Sequence, residues 1–246
     1  MVFRMQKPKT MPLLWSNRCS LKNWKPRNNN AKIIIPMNAA QETYATWNKM
    51  AGLYQEKFMQ LDIYDQSYDL FCSYIEKVNA QILEIGCGPG MICKYLLAKR
   101  PDLEILGTDF APNMIALAAK HNPGAHFKVL DARQTKSLDR KFDAIISGFC
   151  LPYLNPEEVQ TLIADLKDML EPKGVLYLSF IPGNPAQSGM MTASSGDRTL
   201  FYFHLQDEIL KLLHSNQFRV LGKLAIAYAK PSGQEIHAVI IAARED

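Results

Sequence analysis

The chain has 246 residues, 48% hydrophobic and 21% charged, with a formal net charge of +4. That is ordinary for a soluble globular protein with room for one large α/β unit, and no apolar run approaches the roughly 18–20 residues of a membrane span. Residues 1–41 hold eight of the 28 Lys and Arg and no Asp or Glu, so the remainder carries 20 basic against 24 acidic side chains, which argues against a nucleic-acid-binding surface on the folded body.

The basic leader has prolines, an NNN tract and no amphipathic period. Residues 1–36 are expected to be a tail or an upstream extension ahead of Met37, with an organelle transit peptide as the alternative. Residues 39–59 and 65–78 read as amphipathic helices rich in aromatics. QILEI (81–85) is a first strand closed by a glycine turn, and 91–100 a helix. EILGTD (104–109) is a second strand. Pro112 at a first helical position opens the next helix. HFKVLDA (126–132) is a third strand and FDAIISGF (142–149) a fourth, apolar enough for burial on both faces. Asn155, Pro156 and Glu158 have the spacing of a capping box. An apolar stripe from Val159 to Leu170 follows, and Pro172 and Gly174 stop that helix.

VLYLSFI (175–181) is a fifth strand, 183–200 a polar loop, and 206–216 a helix. Two final strands flank KPSG and form an antiparallel hairpin. The fold class is therefore α/β: a doubly wound seven-stranded sheet, mostly parallel, with helices on both faces and a C-terminal antiparallel hairpin. Ligands of such sheets bind beyond the carboxyl ends of the strands, where the glycine turn lies.

Gly86, Gly88 and Gly90 permit a sharp turn and close approach of a ligand. A dinucleotide fingerprint would need glycine where Met91 stands, and a phosphate-binding loop would need G-K-S/T, which is absent. Glu84 precedes the turn, Asp109 ends the second strand and Asp131 the third. A carboxylate at Glu84 repels a pyrophosphate; Asp109 suits ribose hydroxyls, and Asp131 an exocyclic amine. Together they describe a cationic nucleoside without phosphates. Cys19, Cys72, Cys87, Cys93 and Cys150 form no C-x-x-C pair and no zinc or disulfide spacing, which implies a reduced, cytoplasmic protein without a metal site. Cys87 and Cys150 read as small buried residues rather than nucleophiles.

LEIGCGPG, GTDFAPNMIALAAK, LDAR, FDAIISGFCLPYL and LKDMLEPKGVLYLSF resemble, in order and spacing, the class I S-adenosylmethionine-dependent methyltransferases, and most of all their small-molecule branch. The resemblance covers about residues 40–246. Ala111 departs from the usual Ser/Thr. Leu151-Pro152-Tyr153-Leu154 replaces L-H-H-L, and C-L-P-Y differs from the D/N-P-P-Y of enzymes that methylate amines of nucleic acids and protein glutamine. The resemblance implies a Rossmann-like core at 80–246 behind a helical lid region at 37–79, in a single domain, 37–246.

It further implies S-adenosyl-L-methionine as cofactor, bordered by Glu84, Gly86, Cys87, Gly88 and Gly90. Asp109 would hold the ribose, Phe110 lie on the adenine, and Asp131 and Ala132 meet the adenine edge, while the backbone around Ser147, Gly148 and Phe149 would approach the methionine ammonium. Tyr44, Trp47, Tyr54 and Tyr153 are acceptor-side candidates, and Tyr153, Tyr202 and His204 are candidates for a base. His204, His214 and His237 have no carboxylate at a telling spacing and read as core or surface. The expected function is in-line methyl transfer to a small molecule. The alternatives are a non-catalytic binding module, a methyltransferase acting on a macromolecule, and a nicotinamide oxidoreductase, which Met91 and Glu84 oppose.

Overall fold

The computed structural model describes residues 39–193, 195–230 and 233–245. The expected basic tail lies outside them. Strands β1 (Gln81–Ile85), β2 (Glu104–Asp109), β3 (His126–Val129), β4 (Phe142–Gly148) and β5 (Leu170–Phe180) are parallel, and β8 (Phe218–Lys230) and β9 (Gly233–Arg244) form the hairpin. The sheet order is β3-β2-β1-β4-β5-β9-β8, with β9 antiparallel to both neighbours. The expected fold class holds.

Both sheet faces are covered, and the two-residue period of the strands sorts their side chains. Leu83, Ile85 and Ile145 join the core beneath α5 (Pro156–Met169) and α6 (Gln206–Ser215). Ile82, Ala144 and Ile146 join the opposite core, under α2 (Asp65–Ser73) and α3 (Met91–Lys99). The capping box of α5 is formed: the Glu158 N–H donates to Asn155 Oδ1 (2.9 Å) and the Asn155 N–H to Glu158 Oε2 (2.7 Å).

Four expectations shift. Helix α2 stops at Ser73, before Tyr74, Ile75 and the exposed run Glu76–Asn79, where Asn79 takes φ +55°. Strand β3 ends at Val129, because Asp131 turns the chain into a 3-10 helix, Ala132–Leu138, by accepting the Arg133 N–H. Strand β5 begins at Leu170, where β4 Phe142 pairs with it. The expected polar loop 183–200 holds a second, two-stranded sheet of β6 (Gly189–Thr192) and β7 (Arg198–Phe201).

That small sheet anchors α1 (Ala39–Phe58), which also packs on α4 (Pro112–His121). The buried Leu200 N–H donates to Thr43 Oγ1, Thr46 Oγ1 donates to the Arg198 carbonyl, and Arg198 pairs with Glu42. On the other side Asn48 receives the Asn113 N–H. Helix α1 thereby crosses the carboxyl ends of the strands.

Candidate functional site

Two cavities lie beneath α1. The larger, about 430 Å³, opens at the ends of β1, β2 and β4 and is lined by Gly86, Cys87, Gly88, Asp109, Phe110, Asp131, Ala132, Gly148 and Phe149. Its roof is Tyr44, Trp47 and Tyr54. Nine of the twelve residues expected to bind the cofactor therefore share one wall.

The glycine turn divides its labour. Gly88 takes φ +51°, and a Cβ there would come within 3.8 Å only of the Tyr54 ring, so its side faces the cavity. Gly90 takes φ +82°, and a Cβ would strike Asn122 Nδ2 at 2.4 Å. Gly90 thus lets α3 seat against Asn122 and Ala118 of α4's end. It stands behind the cavity's lining rather than in it. The Ser147 side chain is sealed inside β4, so its part in the site is left to the backbone that leads to Gly148 and Phe149.

Glu84 departs most from expectation. The strand period puts it on the α3 face with Ile82, behind the turn. It is fully buried and neither carboxyl oxygen has a hydrogen-bond partner. Burial pushes its carboxyl up to about 8, against the pull of the Cys93 N–H, which points its way without closing a hydrogen bond, and with the Asp109 charge adding to the rise. It presents no charge to the cavity, so the expected repulsion of a pyrophosphate cannot come from Glu84.

Asp109 does face the cavity, held from below by two backbone donors: Gly88 N–H to Oδ2 (3.0 Å) and Ala111 N–H to Oδ1 (2.8 Å). Burial raises it to about 6 against the pull of those donors. Its remaining lone pairs suit hydroxyl donors. Phe110 meets the Tyr44 ring at 5.8 Å, leaving an aromatic slot beside the carboxylate. Asp131 is pinned by Arg133, which also holds Glu158 and the Tyr153 carbonyl. Arg133 is therefore already neutralised, and no unpaired cation among the lining residues would hold a phosphate. An apolar-roofed slot with two carboxylates and a glycine floor fits a nucleoside without phosphates.

The second cavity, about 230 Å³, is lined largely by aromatics, including Phe58, Phe201, Phe203 and Tyr228, with Lys57, Asp197, Lys230 and Glu235 among them. Trp47, Tyr54, Met91, Phe149 and Tyr153 line both cavities and mark where they meet. Phe149 stands there at φ +55°, a strained conformation for an aromatic residue, with its N–H held by the Ser179 carbonyl at 2.9 Å. Trp47 meets Tyr153 edge-on at 5.4 Å.

The expected bases fare unequally. Tyr153 lines the junction, but burial holds its phenol well above the ordinary range. Tyr202 packs on Ala39 and Leu200 and reaches neither cavity. His204 Nε2 donates to the Leu151 carbonyl at 3.0 Å, and burial lowers it, so it clamps a loop as a neutral ring. Neither lines the two cavities. Burial raises Cys87 well above the thiol range and Cys150 to about 12; Cys87 is buried as expected, whereas Cys150 is half-buried and lines the larger cavity. Among the described residues no group of three metal-ligating side chains converges. Sequence reasoning missed Tyr64, Tyr228, Lys230, Glu235 and His237, which line the second cavity.

Residues 82–174 match the family model described as "Methyltransferase domain". Over 185 residues the chain is 27% identical to the tRNA N(3)-methylcytidine methyltransferase of Schizosaccharomyces pombe, covering 70% of this chain and 74% of that protein. Over 112 residues it is 31% identical to a demethylmenaquinone methyltransferase of Thermotoga maritima, covering 45% and 48%. Matched stretches span from 36% to 74% of such relatives. The fold superposes with a TM-score of 0.67 on the Burkholderia thailandensis 1,6-didemethyltoxoflavin-N1-methyltransferase, at 16% identity over 89% of this chain and 94% of that one. Residues 82–174 are thus similar to a methyltransferase domain, and the chain shares its fold with solved methyltransferases.

Proposed function

We propose that the chain transfers the methyl group of S-adenosylmethionine to a small-molecule acceptor in the second cavity. The observation that carries this is the meeting of two unlike cavities at Met91, Phe149 and Tyr153: a carboxylate-walled slot and an aromatic chamber. S-adenosylmethionine, when bound, supplies an electrophilic methyl on a sulfonium. In this reading Gly86, Cys87 and Gly88 border its methionine part, Asp109 holds the ribose, and Phe110 covers the adenine. Asp131 and Ala132 meet the adenine edge, and Gly148 and Phe149 approach the ammonium. Glu84, Gly90 and Ser147 support the turn from behind.

The protein's part is orientation, which can supply about 7–11 kcal/mol of such a barrier. Tyr44, Trp47, Tyr54 and Tyr153 exclude water and frame the line of attack. The chamber's size and aromatic walls favour a small, ring-bearing acceptor over a macromolecule, although one relative's name assigns it a tRNA. The single domain spans 37–246 in this reading, with 37–79 as lid. A reducing, cytoplasmic setting suits the four free cysteines among the described residues, none of whose helices is long and apolar enough to cross a membrane.

The test is calorimetry with S-adenosylhomocysteine, then product detection across ring-bearing metabolites. Binding together with turnover supports the enzyme. Binding without turnover over a broad panel favours a sensor, and absence of binding removes the reading.

A further inference from the structure

The β8–β9 hairpin outruns its neighbour. β5 pairs with β9 only over Ala238–Ala243, so the stretch from Gly233 to His237 and its partners up to Lys230 overhang the carboxyl end of the sheet. The two-residue period puts Glu235 and His237 on one face, with Tyr228 and Lys230 alternating opposite them. That face forms a wall of the second cavity.

A continuous hydrogen-bonded line runs along it. Tyr64 Oη lies 2.5 Å from His237 Nδ1, and His237 Nε2 lies 2.8 Å from Glu235 Oε1. The other Glu235 oxygen pairs with Lys230. The Tyr228 ring stacks on the imidazole at 5.2 Å, and Tyr64 and His237 both contact Phe149, at 5.3 and 5.0 Å between centroids. Phe149 is the strained residue at the junction, so the line ends beside the place where the two cavities meet.

Its polarity follows from chemistry. A carboxylate can only accept, so in the neutral ring Nε2 carries the proton towards Glu235, and Nδ1 presents its lone pair to the Tyr64 hydroxyl. Tyr64 therefore donates to His237 and keeps its own lone pairs for a donor in the cavity. Burial holds the Tyr64 phenol well above its ordinary value, so it passes a proton rather than resting as phenolate. Burial works to raise Glu235, but the bonds from His237 and Lys230 outweigh it and hold it below its ordinary value. The other titratable groups near the line are Tyr54 and Lys57 of α1 and Asp197 and Tyr153, across the cavity, and Tyr68 of α2 and Tyr177 of β5 beside Tyr64.

We propose that Tyr64, backed by His237 and Glu235, takes the proton of the methyl acceptor, and hence that the acceptor is a ring-bearing molecule methylated at a hydroxyl oxygen or a ring N–H. This rests on the methyl-transfer reading. The acceptor's O–H or N–H bond breaks and its proton passes to Tyr64 Oη, while the Tyr64 proton moves to His237 Nδ1. The freed electron pair forms the bond to the methyl carbon, and the carbon–sulfur pair stays on sulfur as S-adenosylhomocysteine. The imidazolium formed faces Glu235, whose side chain is 24% exposed and returns the proton to water. Tyr64 touches the acceptor; His237 and Glu235 position and recharge it. A free amine or a thiolate would not need the line.

The test uses the full chain with S-adenosylmethionine and a panel of phenols, catechols, hydroxyquinolines and indoles, with primary amines and thiols as controls. Turnover is expected among hydroxyl and ring N–H compounds only. Tyr64→Phe should lower kcat about 100-fold while KM and S-adenosylhomocysteine affinity stay within about two-fold. Glu235→Gln should move the acid limb of the kcat/KM profile to lower pH, a change that a purely structural role would not produce. Full kcat in Tyr64→Phe, or turnover of amines and thiols alone, overturns the proposal. Nitrogen-15 NMR of His237 needs no acceptor: a neutral ring protonated on Nε2 at pH 7–8 supports the line. A proton on Nδ1, or an imidazolium throughout, overturns it whether or not the panel reacts. Loss of S-adenosylhomocysteine binding by the unmodified protein would instead remove the methyl-transfer reading.

Discussion

At Asp109 two backbone N–H groups aim the carboxylate, while burial raises it to about 6. Ribose hydroxyls bond best to the ionised form, so a ligand there must drive off the proton at acid pH. Affinity for S-adenosylhomocysteine should fall roughly ten-fold or more between pH 7.5 and 5, as Asp109 protonates. Calorimetry at both values checks this, and Asp109→Asn should bind weakly and without the pH dependence. A flat profile in the unmodified protein would move the ribose elsewhere. Gly88→Val should abolish binding, because its side chain would project into the cavity from a backbone at φ +51°. Gly90→Ala should act differently. Its Cβ would collide with Asn122, whose amide bonds the Gly90 and Ala118 carbonyls. It is expected to lower Tm before it affects affinity, and a variant with normal Tm that binds poorly would contradict that division.

Helix α1 roofs both cavities and is held by β7 on one side and α4 on the other. The buried bond from Leu200 N–H to Thr43 Oγ1 at 2.8 Å matters most, because its loss orphans a buried donor. Thr43→Val should cost about 1–3 kcal/mol, and hydrogen exchange should quicken in α1 and β7 while β1 and β4 stay protected. Glu42→Gln, which breaks only an exposed pair with Arg198, should leave exchange nearly unchanged. Equal effects of the two would mean that the lid is held by charge. The same elements show what could be read from sequence. Strands β1 to β5, the turn glycines and the α5 cap follow from local period and chemistry, and their ends alone moved. The β6–β7 sheet was hidden because GMMT and RTLF are four residues each and pair across a polar turn, with half-buried Met190 and Met191 in place of an alternating pattern. Tyr64 with His237 was hidden for another reason: 173 residues separate them. The Glu235–His237 spacing was local, but its meaning depended on a hairpin overhang visible only in the sheet register.

The molecule as a whole carries its buried acids near one place, with consequences for its pH stability. Glu84 is raised by burial from 4.5 to about 8, so between those values the folded state binds more proton than the unfolded chain. Its stabilising contribution is complete below about pH 4.5 and is lost as pH rises through 8. Asp109, raised from 3.8 to about 6, acts in the same direction over its own lower window. His204 opposes them: burial lowers it, so its contribution is lost as pH falls below 6.5. Above about pH 6.5 the Glu84 effect stands apart from both. The ligand-free protein should therefore lose Tm between pH 6.5 and 8, by several degrees if the slope approaches 1.4 kcal/mol per pH unit. Glu84→Gln keeps the shape without the proton. It should flatten that decline and exceed the unmodified protein at pH 8. Parallel melting curves across the window would show that Glu84 stays ionised beneath the turn. It would then need a partner, and the fixed backbone around Gly86 and Gly88 would owe its position to charge rather than to packing.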